Sequence, residues 1–185
     1  MVLGEGYRFR YCTSNNRVRE SYPLKKIHIY KFINRKGTVY IVHVEEYELN
    51  FFAIKFFLQK HRLSKNRYKF LTYEYDARNI LDTCIRIGLE VLNRHPNASF
   101  GFLGMPTPTE DKRAENERYF NTKRHRAYLS YTAFFFNPDS FTFHVNKGIS
   151  SYFLINKQQE DVNPNLLKNI LDMFTDNYKL EQIFI

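Results

Sequence analysis

Apolar residues run in alternating or continuous stretches through the first third of the chain and switch to three-and-four spacing near its middle. The first period belongs to strands and the second to helices. Tyr7-Arg-Phe-Arg-Tyr11 alternates ring and charge and reads as a short strand or an extended arm. Thr13–Tyr22 has no period and reads as a loop that Pro23 ends. Ile27–Ile33 and Thr38–Tyr47 read as two strands around Asn34-Arg-Lys-Gly37, where Gly37 can take the positive φ of a tight turn. Symmetric closure of that turn pairs Ile33 with Thr38, and the same register sets His28 opposite His43. Phe51–Leu58 is apolar at nearly every position, as a central strand is. Gln59–Tyr68 reads as a loop, and Lys69–Tyr75 as the next strand.

Ala77–His95 carries the clearest helical stripe, with Ile80, Cys84, Gly88 and Val91 on one face. Asp76 is placed to cap it and Pro96 to stop it. Ala98–Met105 reads as a buried strand lying parallel to Lys69–Tyr75, because a helical crossover joins the two. Its Gly101 and Gly104 point to a bulge or a close backbone approach. Pro106–Phe120 is a long charged loop. Asn121 is expected to cap a second helix, Thr122–Phe136, with Ala127, Tyr128, Tyr131, Phe134 and Phe135 turned inward. Ser140–Val145 and Ser151–Asn156 form a hairpin, Gln158–Val162 a polar link, and Asn163-Pro164 opens a last helix.

This order predicts an α+β fold: one mixed, mainly antiparallel sheet of six or seven strands with two to three helices on its faces. The 185 residues suit a single domain, 1–185, with an N-terminal strand or arm and loop at 1–23, a core sheet with helices at 24–156, and a C-terminal helix and tail at 163–185.

Composition adds a surface. The net charge is +9, and the basic segments Lys60–Lys69 and Lys112–Arg126 are where the cations gather. An acidic partner, nucleic acid or protein, would match them. Lys123, Arg124 and Arg126, with Lys60 and Arg62, are the candidate nucleic-acid contacts, and Tyr119, Phe120 and Tyr128 supply rings for bases. The 14 Tyr exceed what a core wants, since each buried hydroxyl needs a partner, so some should line a cleft. Cys84 lies on the apolar helix face and Cys12 in a polar segment, which argues against a disulfide and for a cytoplasmic protein. No run approaches the ~18 apolar residues a membrane span requires, so no membrane partner is expected. Two histidines without a third ligand make no metal site.

The chemistry concentrates in Asn121-Thr-Lys-Arg-His-Arg-Ala-Tyr128, followed by Phe134-Phe-Phe136. From residue 24 to 156 the element order, with Asn and Tyr seven residues apart on the second helix, resembles the GCN5-related N-acetyltransferase family. In that family the fifth strand splays from the fourth. The resemblance implies acetyl-CoA as the cofactor to consider, with Asn121 holding the acyl-CoA, Tyr128 protonating the departing thiolate and Glu74 as the best-placed general base; Glu45, Glu46 and Glu48 are further acids. The family binds the cofactor pyrophosphate with a glycine-rich loop before the first helix. Here Tyr73–Asn79 has no glycine and carries Asp76. The sequence therefore points first to a small basic binding or regulatory domain of acetyltransferase-like fold, without efficient catalysis and without a bound cofactor. An acyl-CoA-dependent N-acyltransferase is the alternative, and a nucleic-acid-binding component of a bacterial defence or toxin system is the second.

Overall fold

The computed structural model describes residues 3–15, 23–70, 76–104, 106–107, 109–114 and 117–178. Its centre is one seven-stranded sheet of β1 (Phe9–Asn15), β2 (Leu24–Ile33), β3 (Val39–Tyr47), β4 (Phe51–Leu58), β5 (Ser99–Leu103), β6 (Phe141–Asn146) and β7 (Ser151–Asn156). The spatial order is β1-β2-β3-β4-β5-β7-β6. All neighbours are antiparallel except β4 and β5, which run parallel. Four helices accompany the sheet: α1 (Ala77–Arg94), α2 (Lys123–Phe135), α3 (Lys157–Val162) and α4 (Leu166–Tyr178). The fold is thus α+β with a mixed, mainly antiparallel sheet.

α1 and α2 cover one face. Ile80, Ile85, Ile87 and Val91 of α1 are each at most 5% exposed against Tyr30, Phe32, Val42 and Phe100. Each such aliphatic side chain contributes roughly 1.5–3 kcal/mol by leaving water. Gly88 lets Ile54 of the sheet lie close beneath the helix. α4 covers part of the other face through Leu166 and Ile170, which pack on Tyr47, Phe51 and Ile155. β4 has helices on one side and α4 with a loop on the other; Phe51, Phe52, Phe57 and Leu58 are buried, while Ala53–Phe56 between them stay partly exposed.

Several expectations change. The first strand is Phe9–Asn15, so the antiparallel meander consists of β1 to β4 and Phe51–Leu58 is its fourth strand. Lys69–Tyr75 is not that strand as far as it is described: Lys69 closes a turn on Asn66, Phe70 follows outside any strand, and 71–75 lie outside the described residues. Ser99–Leu103 is parallel to β4 instead, with β7 on its other edge.

His28 and His43 do not face each other. Ile33 pairs with Val39, and Asn34 bonds to Thr38 across a three-residue loop, with Gly37 at φ 76°. That loop moves the register by one residue, so His43 opposes Ile29 and His28 opposes Val44. A one-residue slip puts the two rings on opposite faces of the sheet. His28 instead meets Glu46 at 2.8 Å. The polar link at 158–162 lies within α3, capped by the Asn156 side chain, which accepts from the Gln158 N–H. The last helix opens at Leu166, two residues after Pro164.

α2 is rolled from the expected face. Its buried side chains are His125 and Thr132, with Phe136 just beyond, whereas Ala127 and Phe134 are exposed. Thr122, not Asn121, caps it: the Thr122 hydroxyl accepts from the His125 N–H at 3.2 Å and donates to the Gly104 carbonyl at 2.6 Å.

Candidate functional site

The parallel ladder between β4 and β5 is short. It holds Phe51↔Ser99, Phe52↔Phe100 and Ala53↔Gly101, and among the described residues it ends there. The paired end is tied down by Gln159 of α3. Its side-chain nitrogen donates to the Leu49 carbonyl at 2.7 Å, and its oxygen accepts from the Ser99 hydroxyl at 3.2 Å. At the other end the two strands are drawn apart. Gly104, just past β5, donates to the Ser150 carbonyl at 2.8 Å and is pressed by the start of α2. A Cβ on Gly104 would stand 2.6 Å from that of His125, so only glycine permits this approach. β4 meanwhile continues into the loop 59–70, which folds back over the sheet.

The divergence leaves a cavity of about 380 Å³, within the usual size range of small-molecule sites. It reaches side chains of both sheet faces. Ile54 belongs to the α1 and α2 side and Phe51 and Ala53 to the α4 side. The cavity therefore passes through the sheet where the ladder is missing. Its walls are mostly rings and aliphatic chains, among them Phe57, Phe102, Phe153 and Phe174. Strand geometry directs alternate N–H and C=O groups of Ile54–Leu58 toward the opening, since β3 takes only one edge of β4.

Tyr128 of α2 stands in this wall, its ring 6.1 Å from that of Phe102. Burial pushes its hydroxyl up to about 12, and the Arg124 charge opposes that rise. The group stays protonated at neutral pH and can donate. No described residue bonds to that hydroxyl. A smaller cavity of about 30 Å³ adjoins it, bounded by Ile54, Cys84 and Thr132.

Asn121 is not brought to the cavity. It sits two helical turns before Tyr128 at φ 43°, with its N–H on the Lys147 carbonyl at 2.8 Å and its side-chain oxygen 3.3 Å from His125 Nδ1. Glu74 lies outside the described residues. Glu45, Glu46 and Glu48 are engaged elsewhere: Glu45 accepts from the Tyr47 hydroxyl at 2.7 Å and meets Lys55 at 2.5 Å, Glu46 meets His28, and Glu48 meets Lys25 at 3.7 Å.

The basic residues separate into distinct roles. Arg124 donates to the carbonyls of Tyr68 at 2.9 Å, Lys69 at 2.7 Å and Phe70 at 3.2 Å. It fastens the loop 59–70 to α2 and so joins the two basic segments. Arg126 donates to the Asn121 carbonyl at 2.5 Å. Lys123, Lys60 and Arg62 are exposed. Lys65 and Lys69 line the cavity.

Sequence reasoning missed the support beneath that loop. The Tyr68 hydroxyl and His43 Nδ1 are 2.9 Å apart, and Arg67 lies 5.2 Å over the Phe57 ring and 4.9 Å over that of Tyr68. Burial holds His43 down at about 4, and the Arg67 charge acts in the same direction. Glu110 was missed as well. Burial alone would raise its carboxyl, but the Thr107 N–H and hydroxyl at 2.9 and 2.8 Å and the Lys123 N–H at 2.8 Å hold it below its ordinary value. It ties the long charged loop to the start of α2, where a negative charge complements the helix dipole.

No helix among the described residues is long and apolar enough to cross a membrane. Among the same residues no group of three or more His, Cys, Asp or Glu is placed to hold a metal ion. Comparison with protein-family models, curated proteins and solved structures finds no match.

Proposed function

We propose that this chain is a binding domain for an acyl thioester, whose pantetheine-type arm lies in the cleft between β4 and β5. The opening of the sheet between these two strands carries the reading. A mostly apolar, through-going cavity with alternate backbone groups of β4 along it suits an extended, amide-bearing arm: the arm's amides pair with strand backbone and its alkyl parts pack on the rings. The splay also follows the resemblance to acetyltransferases, in which the fifth strand leaves the fourth. Calorimetry with an acetyl thioester of pantetheine or coenzyme A tests it. Binding that is weakened by a bulky residue at Ala53, on the cavity wall, is the expected result. No heat at millimolar ligand would sink the reading.

Tyr128 favours catalysis as a second reading. An amine nitrogen would attack the thioester carbon, the C–S bond would break, and the leaving thiolate would take the Tyr128 proton; the phenolate would then recover a proton from the acylated nitrogen through water. Tyr128→Phe should then cut turnover at least about tenfold and leave binding nearly intact, because only the proton donor is removed. Unchanged turnover, or no turnover with any small amine, leaves the binding role alone standing.

A further inference from the structure

We propose that the cleft recognises a single phosphate on the pantetheine arm, held at the cavity mouth by the side chains of Lys65 and Lys69, rather than a diphosphate at the start of α1. The inference rests on the acyl-thioester reading and adds the donor's chemical class: a 4′-phosphopantetheine thioester.

The first argument is that the start of α1 is already answered by a negative charge. Asp76 stands at its mouth, with one carboxylate oxygen accepting from Asn79 Nδ2 at 2.7 Å and the other from the Tyr7 hydroxyl. The N-terminal segment lies along the same turns. The Tyr7 N–H donates to the Thr83 hydroxyl at 2.8 Å, and Arg86 donates to the Gly4 carbonyl at 2.9 and 3.1 Å. Residues 59–76, between β4 and α1, include no glycine. A phosphate placed here would meet a carboxylate instead of open N–H groups.

The second argument is the charge of the cavity. Lys55, Lys65, Lys69 and Arg124 line it, and no carboxylate does among the described residues. Lys55 is paired with Glu45, and Arg124 is committed to the loop carbonyls. Lys65 and Lys69 have no carboxylate partner among the described residues. Both belong to the loop that Arg124 fastens, so their backbone is held in place before a ligand arrives. Two ammonium groups without a carboxylate partner on a mostly apolar cleft match one phosphate terminating an uncharged arm.

The test is calorimetry on the full chain with the acetyl thioesters of pantetheine, 4′-phosphopantetheine and coenzyme A. The phosphorylated arm is expected to bind about tenfold tighter than the plain one, a charge-assisted gain, and within a few-fold of coenzyme A. Lys65→Gln with Lys69→Gln should erase that advantage while circular dichroism shows the fold retained, and Asp76→Asn should change none of the three affinities. Equal binding of plain and phosphorylated arms, or an unchanged advantage in the double lysine variant, overturns this inference and leaves the acyl-thioester reading intact. Coenzyme A bound more than about tenfold tighter than 4′-phosphopantetheine, especially if Asp76→Asn tightens it further, also overturns it. Absence of binding by all three overturns the acyl-thioester reading itself.

Discussion

Replacing Arg124 with lysine keeps a cation on α2 and removes the planar fork that reaches the carbonyls of Tyr68, Lys69 and Phe70. A hydrogen bond from a charged donor contributes about 1.5–3 kcal/mol. These bonds share one half-exposed guanidinium, so their contributions do not add, and a lysine ammonium can recover at most part of them. The net loss should be about 2 kcal/mol, which corresponds to about thirtyfold faster local opening. Hydrogen exchange reads this directly. The N–H groups of Arg62, Ser64, Arg67 and Lys69 bond within the loop, to Gln59, His61, Ser64 and Asn66 carbonyls. Their exchange should accelerate in Arg124→Lys, and equally in Arg124→Met, while α1 amides stay protected. Ligand affinity should fall with it, because Tyr68, Lys69 and Phe70 form one wall of the cavity. If lysine preserves wild-type exchange and only methionine perturbs the protein, charge rather than the fork is what matters at Arg124. The role assigned to this residue would then be wrong, and a phosphate contact of the kind its sequence neighbourhood suggests would regain weight.

Gly104→Ala should cost about 2–3 kcal/mol, read as a lower urea midpoint, because the new methyl would stand 2.6 Å from His125 Cβ and 2.7 Å from its backbone nitrogen. A wild-type midpoint would show that α2 is not pressed on β5 as described. His43, held near 4 against an ordinary 6.5, binds fewer protons folded than unfolded between those values. Stability should therefore decline as pH falls through that window and be insensitive to His43 above it. A His43→Asn variant should lose that slope, and an NMR titration placing the ring above 6 would contradict the burial argument. Cys84 is buried and its thiol pushed up to about 12, whereas Cys12 is exposed. A thiol reagent at neutral pH should label one site in the native protein and a second only on unfolding.

Much of the fold was legible because its signals are local. The α1 stripe, the apolar run of β4 and the β6–β7 hairpin each arise from spacing within a dozen residues. Tyr128 was singled out by its spacing of seven from Asn121 and the resemblance to acetyltransferases, and its side chain lies on the cavity wall. The errors have two origins: the closure of one short loop, and partners far away in the chain. The β2–β3 register turned on whether Asn34–Gly37 closes as a two- or a three-residue loop, and the bond from Asn34 to Thr38 settles it at three. The α2 face was misjudged because Phe134 and Phe135 look like core, whereas His125 and Thr132 are what Gly104 and the sheet accept.

The sequence by itself determined an α+β protein with a mixed sheet, the position of its main helix and a basic composition. Local periodicity and composition suffice for those. Tertiary structure alone decided that β5 lies parallel to β4 rather than to Lys69–Tyr75, that the ladder stops after Ala53 and Gly101, and that Arg124 faces loop carbonyls while Lys65 and Lys69 are left for the cavity. Strand partners and the targets of a guanidinium are chosen among groups distant in sequence, by which arrangement buries the most apolar surface while leaving the fewest polar groups unpaired.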